Sequence, residues 1–157
     1  LVNKWKKYMK LSDNLTLAEA IKSNTAIRKG IDNSPTKEHL HNMELVALNI
    51  FEPIRDHFMT PLYVSSMYRS ESLNKAVKGS KTSQHCKGEA IDIDMNGSVT
   101  NKMVFDYIKN NLIFSQLIWE FGTKENPDWL HVSYSDKNRN QVLRAKKVNG
   151  KTIYEKF

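Results

Sequence analysis

Ser83-Gln84-His85-Cys86-Lys87-Gly88-Glu89-Ala90-Ile91-Asp92-Ile93-Asp94 is the stretch from which the rest of the chain is read. It sets one imidazole and one carboxylate seven positions apart, with a glycine between them. Over residues 89–95 the apolar Ile91, Ile93 and Met95 alternate with Ala90, Asp92 and Asp94. That two-residue period is the mark of a half-buried strand, with the aspartates on the face opposite the isoleucines. His85 falls in the loop entering the strand, and Gly88 lets the backbone turn sharply between the two. A neutral imidazole and a carboxylate converging on one point suit a borderline metal such as zinc. Two ligands do not make a site. The candidate third is His131, in Trp129-Leu130-His131-Val132-Ser133-Tyr134, which reads as another short strand. Trp129, His131 and Ser133 share one of its faces, and Leu130, Val132 and Tyr134 the other.

Outward from these strands, local signals predict the remaining elements. Thr16-Leu17-Ala18-Glu19 has capping-box spacing and predicts a helix running to about Ser23. Residues 30–35 form a loop by their turn chemistry, and Thr36 caps a longer helix. Leu40, Met43, Ala47, Ile50, Phe51 and Ile54 give that helix one core-facing stripe, and Pro53 predicts a local kink or end. Residues 62–66 read as a strand, and Ser70 caps a short helix through about Val77. Residues 78–82 are a flexible basic loop leading into the metal motif. Thr100 caps a helix whose Met103, Val104, Tyr107 and Ile108 are expected to cover the sheet. Residues 117–121 and 129–134 predict an antiparallel hairpin, and residues 135–157 one more, turning at Asn149-Gly150. The fold class expected is α+β: a single domain with a small antiparallel sheet and helices packed on it.

Composition narrows the partners. A chain of 157 residues fits one domain with a real core and leaves little room for a second. The balance of 24 Lys and Arg against 17 Asp and Glu gives +7, which favours anionic partners: nucleic acid, anionic membrane or a bacterial envelope. The lysines are dispersed, with no basic helix and no aromatic-basic alternation, which argues against nucleic acid. No apolar run approaches the ~20 residues needed to span a bilayer, so no stable membrane insertion is expected. The single cysteine, Cys86, rules out an internal disulfide framework and reads as packed, not ligating. Residues 1–8 are basic with no apolar core behind them, so no signal peptide is seen. Residues 1–14 are read as a basic lead and 15–157 as the domain, expected to be a monomer.

Three segments carry a family resemblance. SQHCKGEAID, from Ser83 to Asp92, resembles the SxHxxGxAxD motif of the zinc D-Ala-D-Ala carboxypeptidases and related peptidoglycan endopeptidases. Their fold is shared with hedgehog domains. WLHVSY resembles the motif that carries that family's last histidine ligand. SSMYRSESLN, from Ser65 to Asn74, resembles its SSGYRSxxLN segment, with Met67 in place of the usual glycine. The likeness runs from about Leu15 to Tyr134, with the three motifs in the family's order. It implies that His85, Asp92 and His131 bind one Zn2+ per chain and that Arg69 contacts the substrate. Zinc on three protein groups keeps a fourth position open, as in catalytic sites, and acidifies water to a pKa of roughly 7.

Amide hydrolysis also needs a group to take the water's proton and deliver it to the leaving amine. Asp128, three positions before His131, occupies the place where relatives carry an acidic base. Glu120, at the end of Leu117-Ile118-Trp119-Glu120, is the rival, and Glu125 reads as loop charge. Arg69 has a fork of donors suited to a carboxylate or a developing oxyanion. Tyr68, Ser83 and Gln84 are candidates for lining the pocket. Asp94 is either a support for the site or a solvated strand end, and His39, His41 and His57 read as solvated. The resemblance implies zinc-dependent cleavage of peptidoglycan stem peptides, at a terminal D-Ala or at the L-Ala to D-Glu bond. A small basic enzyme of this kind resembles phage lysis enzymes, made in the cytoplasm and acting in the periplasm or cell wall after release through a membrane pore. The alternative is a non-catalytic metal-binding interaction module of the same fold; an intact ligand set with an acidic base candidate argues against it.

Overall fold

The computed structural model describes residues 8–157, so the first seven residues of the expected lead lie outside the described residues. The rest of that lead is part of the packed body. Strand β1 (Lys10–Ser12) pairs antiparallel with β2 (Leu15–Thr16), and Leu11 and Leu15 are buried in the core.

Helix α1 (Leu17–Ala20) starts at the expected capping box: Thr16 accepts the Glu19 N–H, and the Glu19 side chain accepts the Thr16 N–H. It ends short of Ser23, because the Ser23 hydroxyl caps a second helix, α2 (Asn24–Lys29), by accepting the Ala26 N–H. Gly30 closes α2 at φ 62°, the left-handed geometry that glycine adopts without strain. Helix α3 (Lys37–Val46) runs without a break through a π-helical turn (Ala47–Phe51) into α4 (Glu52–Phe58). Pro53 therefore neither ends nor breaks the helix. The wider turn ahead of it, in which the Glu52 N–H reaches back to the Ala47 carbonyl, accommodates a residue that cannot donate.

Next come β3 (Val64–Ser66), α5 (Glu71–Ala76), a short 3-10 turn (Gln84–Lys87) and β4 (Ala90–Ile93). They are followed by α6 (Asn101–Asn111), β5 (Gln116–Glu120), β6 (Trp129–Ser133), β7 (Gln141–Val148) and β8 (Lys151–Lys156). The larger sheet has six strands in the order β3-β4-β6-β5-β7-β8. It is mixed, not purely antiparallel: β5 and β7 run parallel. The register shows how. Strand β6 ends with Ser133 opposite Gln116, and β7 begins with Gln141 opposite that same Gln116. Residues 134–140 need only step past the start of β5 to reach its other edge. Asn140 fixes that step, its N–H bonding the Phe114 carbonyl at 2.9 Å and its Oδ1 accepting the Phe114 N–H at 2.9 Å. The last hairpin turns at Asn149 and Gly150, both at positive φ (48° and 76°), as a two-residue type I′ turn requires.

One face of the sheet is dry. Ile91, Ile93, Leu117, Trp119, Leu130 and Val132 pack there against α3, the π turn, α4 and α6. Truncating one of these fully buried side chains to alanine costs about 2–5 kcal/mol by loss of transfer energy and residual cavity. In α6 the buried positions are Val104, Phe105 and Ile108, whereas Met103 is 45% exposed. Phe105 fills the role expected of Met103, with its ring edge-on to Trp119 at 5.2 Å. The opposite face carries Asp92, His131, Ile118 and Glu120, whose cross-strand partners put them on one side.

Candidate metal centre

The 3-10 turn and strand β4 bring the first two candidate ligands together. Gly88 ends the turn at φ 73°, where an added Cβ would come within 2.4 Å of the His39 carbonyl oxygen, so only glycine fits. His85 thereby folds back over β4 until its Nε2 lies 3.1 Å from Asp92 Oδ1. His131 stands directly opposite Asp92 in β6, and its Nδ1 is 3.0 Å from the same oxygen. All three side chains are nearly buried, and one ligand atom from each lies within 4.8 Å of the others.

The outer nitrogens decide what this cluster can hold. His85 Nδ1–H donates to the Met67 carbonyl at 2.6 Å, and His131 Nε2–H donates to Gln84 Oε1 at 3.1 Å. Carbonyl oxygens only accept, so each neutral ring carries its proton on the outside. The inner nitrogens then turn two lone pairs toward a carboxylate. Such a grouping is repulsive unless a cation sits among them, and imidazole nitrogen with carboxylate oxygen is a set that zinc takes. Burial alone would raise the Asp92 carboxyl. In the metal-free fold an added proton on an inner nitrogen takes the cation's place, and the resulting His85 charge and the hydrogen bonds from the two rings hold it well below the usual carboxylate range. Asp92 is an anion at neutral pH, as a ligand must be.

A cleft of about 630 Å³ opens on the cluster, lined by Lys22, Ser66, Tyr68, Arg69, Asp92 and Trp129 among others. Arg69 points at the centre: its Nη2 is 3.9 Å from Asp92 Oδ2, and its Nη1 donates to Asn74 Oδ1 at 3.3 Å. Its Nε–H is buried without a hydrogen-bond partner among the described residues. Asn74 also donates to the Ser80 carbonyl at 2.9 Å, which ties the basic loop to Arg69. Gly79 leaves room for this, since a Cβ there would fall 2.1 Å from Asn74 Oδ1. Asn33 holds the segment from below, donating to the Ile21 and Tyr68 carbonyls and accepting the Ser70 N–H at 2.7 Å.

This His-Asp-His grouping, whose Asp92 lines the cleft, coincides with a family match: Peptidase M15 covers residues 13–133. The chain belongs to the Peptidase M15 family. No curated protein matches it. The match takes in every element from β2 to β6, and so the whole of the M15 cluster, Arg69 and the cleft.

The two base candidates of this M15 chain stand differently. Glu120 is 8% exposed, and burial pushes its carboxyl up to about 7, with His131 drawing it down and Asp92 adding to the rise. Asp128 is exposed, and its backbone serves the structure: the N–H meets the Glu120 carbonyl, and the carbonyl accepts from Asn101. Gln84, expected to line the pocket, is instead the group that orients His131. Tyr68 does line the cleft, but its hydroxyl is bonded to His39 Nδ1 at 3.1 Å, so His39 is not free in solvent. His57 is likewise engaged, stacked on Tyr107 at 4.1 Å. Ser83 precedes the 3-10 turn without capping it by its side chain, and its carbonyl takes the Cys86 N–H. Asp94 accepts from Asn101 at 3.0 Å, which fixes the start of α6 and not the cluster. Glu125 is an exposed loop residue, as read. Trp129's place in the cleft, Asn74's bond to Arg69 and Gln84's to His131 are not legible in the sequence, because each depends on which strands and turns become neighbours.

Proposed function

We propose that this M15 chain is a zinc-dependent hydrolase of peptide bonds in peptidoglycan stem peptides. The observation that carries the reading is the convergence of two imidazole lone pairs on one carboxylate, Asp92, which together with Arg69 lines a cleft. His85 Nε2, His131 Nδ1 and Asp92 Oδ1 would hold one zinc ion per chain. When bound, the ion supplies Lewis-acid polarisation of the scissile carbonyl and acidification of water.

The chain's own groups supply the rest. Glu120 is favoured over Asp128 as the proton carrier, because it shares the sheet face of His131 and feels both His131 and Asp92. A buried carboxylate on that face accepts the attacking water's proton and returns it to the leaving amine. Arg69, which lines the cleft with its Nη2 3.9 Å from Asp92 Oδ2, receives a substrate carboxylate or the oxyanion that develops during attack. The net charge of +7 draws the protein to an anionic envelope, and resemblance to phage lysis enzymes supports a lytic or wall-remodelling role.

The test is digestion of purified peptidoglycan with the zinc-loaded protein, followed by mass spectrometry of the fragments. New termini at one stem-peptide bond, lost after chelation and restored by zinc, are expected. Bound metal with intact stem peptides would refute hydrolysis and make the chain a non-catalytic metal-binding module.

A further inference from the structure

Strands β7 and β8 lie beyond the residues that match the family, yet they widen the site's face of the sheet. Trp129 stands opposite Glu120, Glu120 opposite Ala145, and Ala145 opposite Tyr154. Residues paired across neighbouring strands share a face, so these four form one row on the side that carries Asp92 and His131. Ala145 is 1% exposed and has no side chain beyond Cβ, so nothing bulky in β7 separates Tyr154 from Glu120. Tyr154 itself is 56% exposed, and no hydrogen bond engages its hydroxyl among the described residues. Partial burial and the nearby Glu120 and Asp92 carboxylates raise its phenol above the ordinary value, in line with its place at the site.

Two further features mark the same surface. Phe121, at φ 54°, leaves the strand's alternation, so that its ring packs 5.3 Å from Trp129 with Lys147 5.5 Å above it. Lys156 is opposite Leu143, in the row that continues through Ile118 and His131 to Asp92. It therefore adds an exposed positive charge on the site's face, at the far end from Arg69. Strands lie about 4.8 Å apart, so the row from Trp129 to Tyr154 spans about 14 Å, or about four residues of extended peptide.

We propose that the β7–β8 hairpin is a substrate-binding wall: Tyr154 contacts an extended peptide lying across the strands over Glu120, and Lys156 meets a carboxylate on it. This rests on the peptide-hydrolase reading and adds to it the direction in which the substrate lies. Tyr154 and Lys156 act in binding and take no part in the chemical step.

The experiment compares the zinc-loaded wild type with Tyr154→Ala, Tyr154→Phe and Lys156→Ala, using a soluble stem pentapeptide. KM and kcat come from product mass spectrometry, and Kd from NMR titration. Tyr154→Ala and Lys156→Ala should each raise KM and Kd about five- to tenfold, as loss of one binding contact does, with kcat within about twofold and zinc content unchanged. Tyr154→Phe, which keeps the ring, should lie between wild type and Tyr154→Ala and serves as the decisive variant if the alanine change fails to fold. Wild-type hydrolysis with KM unchanged in the variants overturns the wall and leaves the hydrolase reading standing. Binding weakened in the variants, with no hydrolysis by any form, overturns the hydrolase reading and keeps the wall. Neither binding nor hydrolysis by the wild type overturns both.

Discussion

Replacing Glu120 with glutamine separates its two roles, as a buried acid and as a proton carrier. The side chain keeps its size and loses only its proton chemistry. In the metal-free fold the carboxyl has moved from 4.5 to about 7, chiefly through burial. At about 1.4 kcal/mol per pH unit, that displacement is worth up to about 3 kcal/mol. The sign follows from which form the fold prefers. Because the folded pKa is raised, the folded state holds the proton more tightly than the unfolded chain does. Stability from this group is therefore full below about 4.5 and falls as pH rises through about 7. A glutamine side chain cannot ionise, so the Glu120→Gln variant lacks that decline. Urea unfolding of chelator-treated wild type and Glu120→Gln at pH 5 and pH 8 measures it. The stability difference between them should shift in the variant's favour by up to about 3 kcal/mol at the higher pH, while the titration of Asp92 is common to both and cancels. Zinc should shrink the shift, since a nearby cation favours the ionised carboxylate. The zinc-loaded variant should lose roughly 10²–10⁴ in hydrolysis rate. Parallel pH–stability curves together with full activity would refute the assignment, and a dead Asp128→Asn beside an active Glu120→Gln would move the base to Asp128.

The remaining predictions concern the metal and Arg69. Elemental analysis of protein purified without added metal should give close to one zinc per chain, and His85→Ala or His131→Ala should lose most of it; a full complement in either variant would refute the ligand set. Gln84→Ala frees His131 Nε2–H and should weaken metal binding about 10–100-fold in a competition with a chromogenic chelator, whereas unchanged affinity would mean that Gln84 does not orient the ligand. Arg69→Lys keeps the charge and loses the fork, so kcat/KM should fall by on the order of 2–4 kcal/mol in transition-state stabilisation with zinc content unchanged; near-normal kinetics would leave Arg69 as a structural partner of Asn74 and Asp92.

What the sequence made legible was local. Thr16, Thr36, Ser70 and Thr100 each cap a helix as read, because a hydroxyl and the N–H three residues on are fixed by the chain itself. The alternation around Asp92 and His131 named both strands and both faces for the same reason. The misses involve distance along the chain. Periodicity reveals that residues 141–156 make a hairpin, but not that its first strand docks parallel on β5. A stripe through Met103 and one through Phe105 differ by a small rotation of α6, and only the position of Trp119 across the core selects Phe105.

The candidate base turns on the same distinction. Spacing along one strand puts Asp128 near His131 and says nothing about Glu120, which belongs to a different strand. Whether Glu120 is buried depends on β5 having neighbours on both sides, β6 at one edge and β7 at the other. If β7 docked elsewhere, Glu120 would end an edge strand, solvated and with the chemistry of an ordinary carboxylate. With β7 paired on that edge, Glu120 is buried in the interior of the sheet, and in the metal-free fold its carboxyl becomes an acid that can change state at neutral pH. A hairpin outside the family match thus bears on the chemistry within it. Shortening β7 or placing a charge at Ala145 should reach the pH–rate profile as well as the fold.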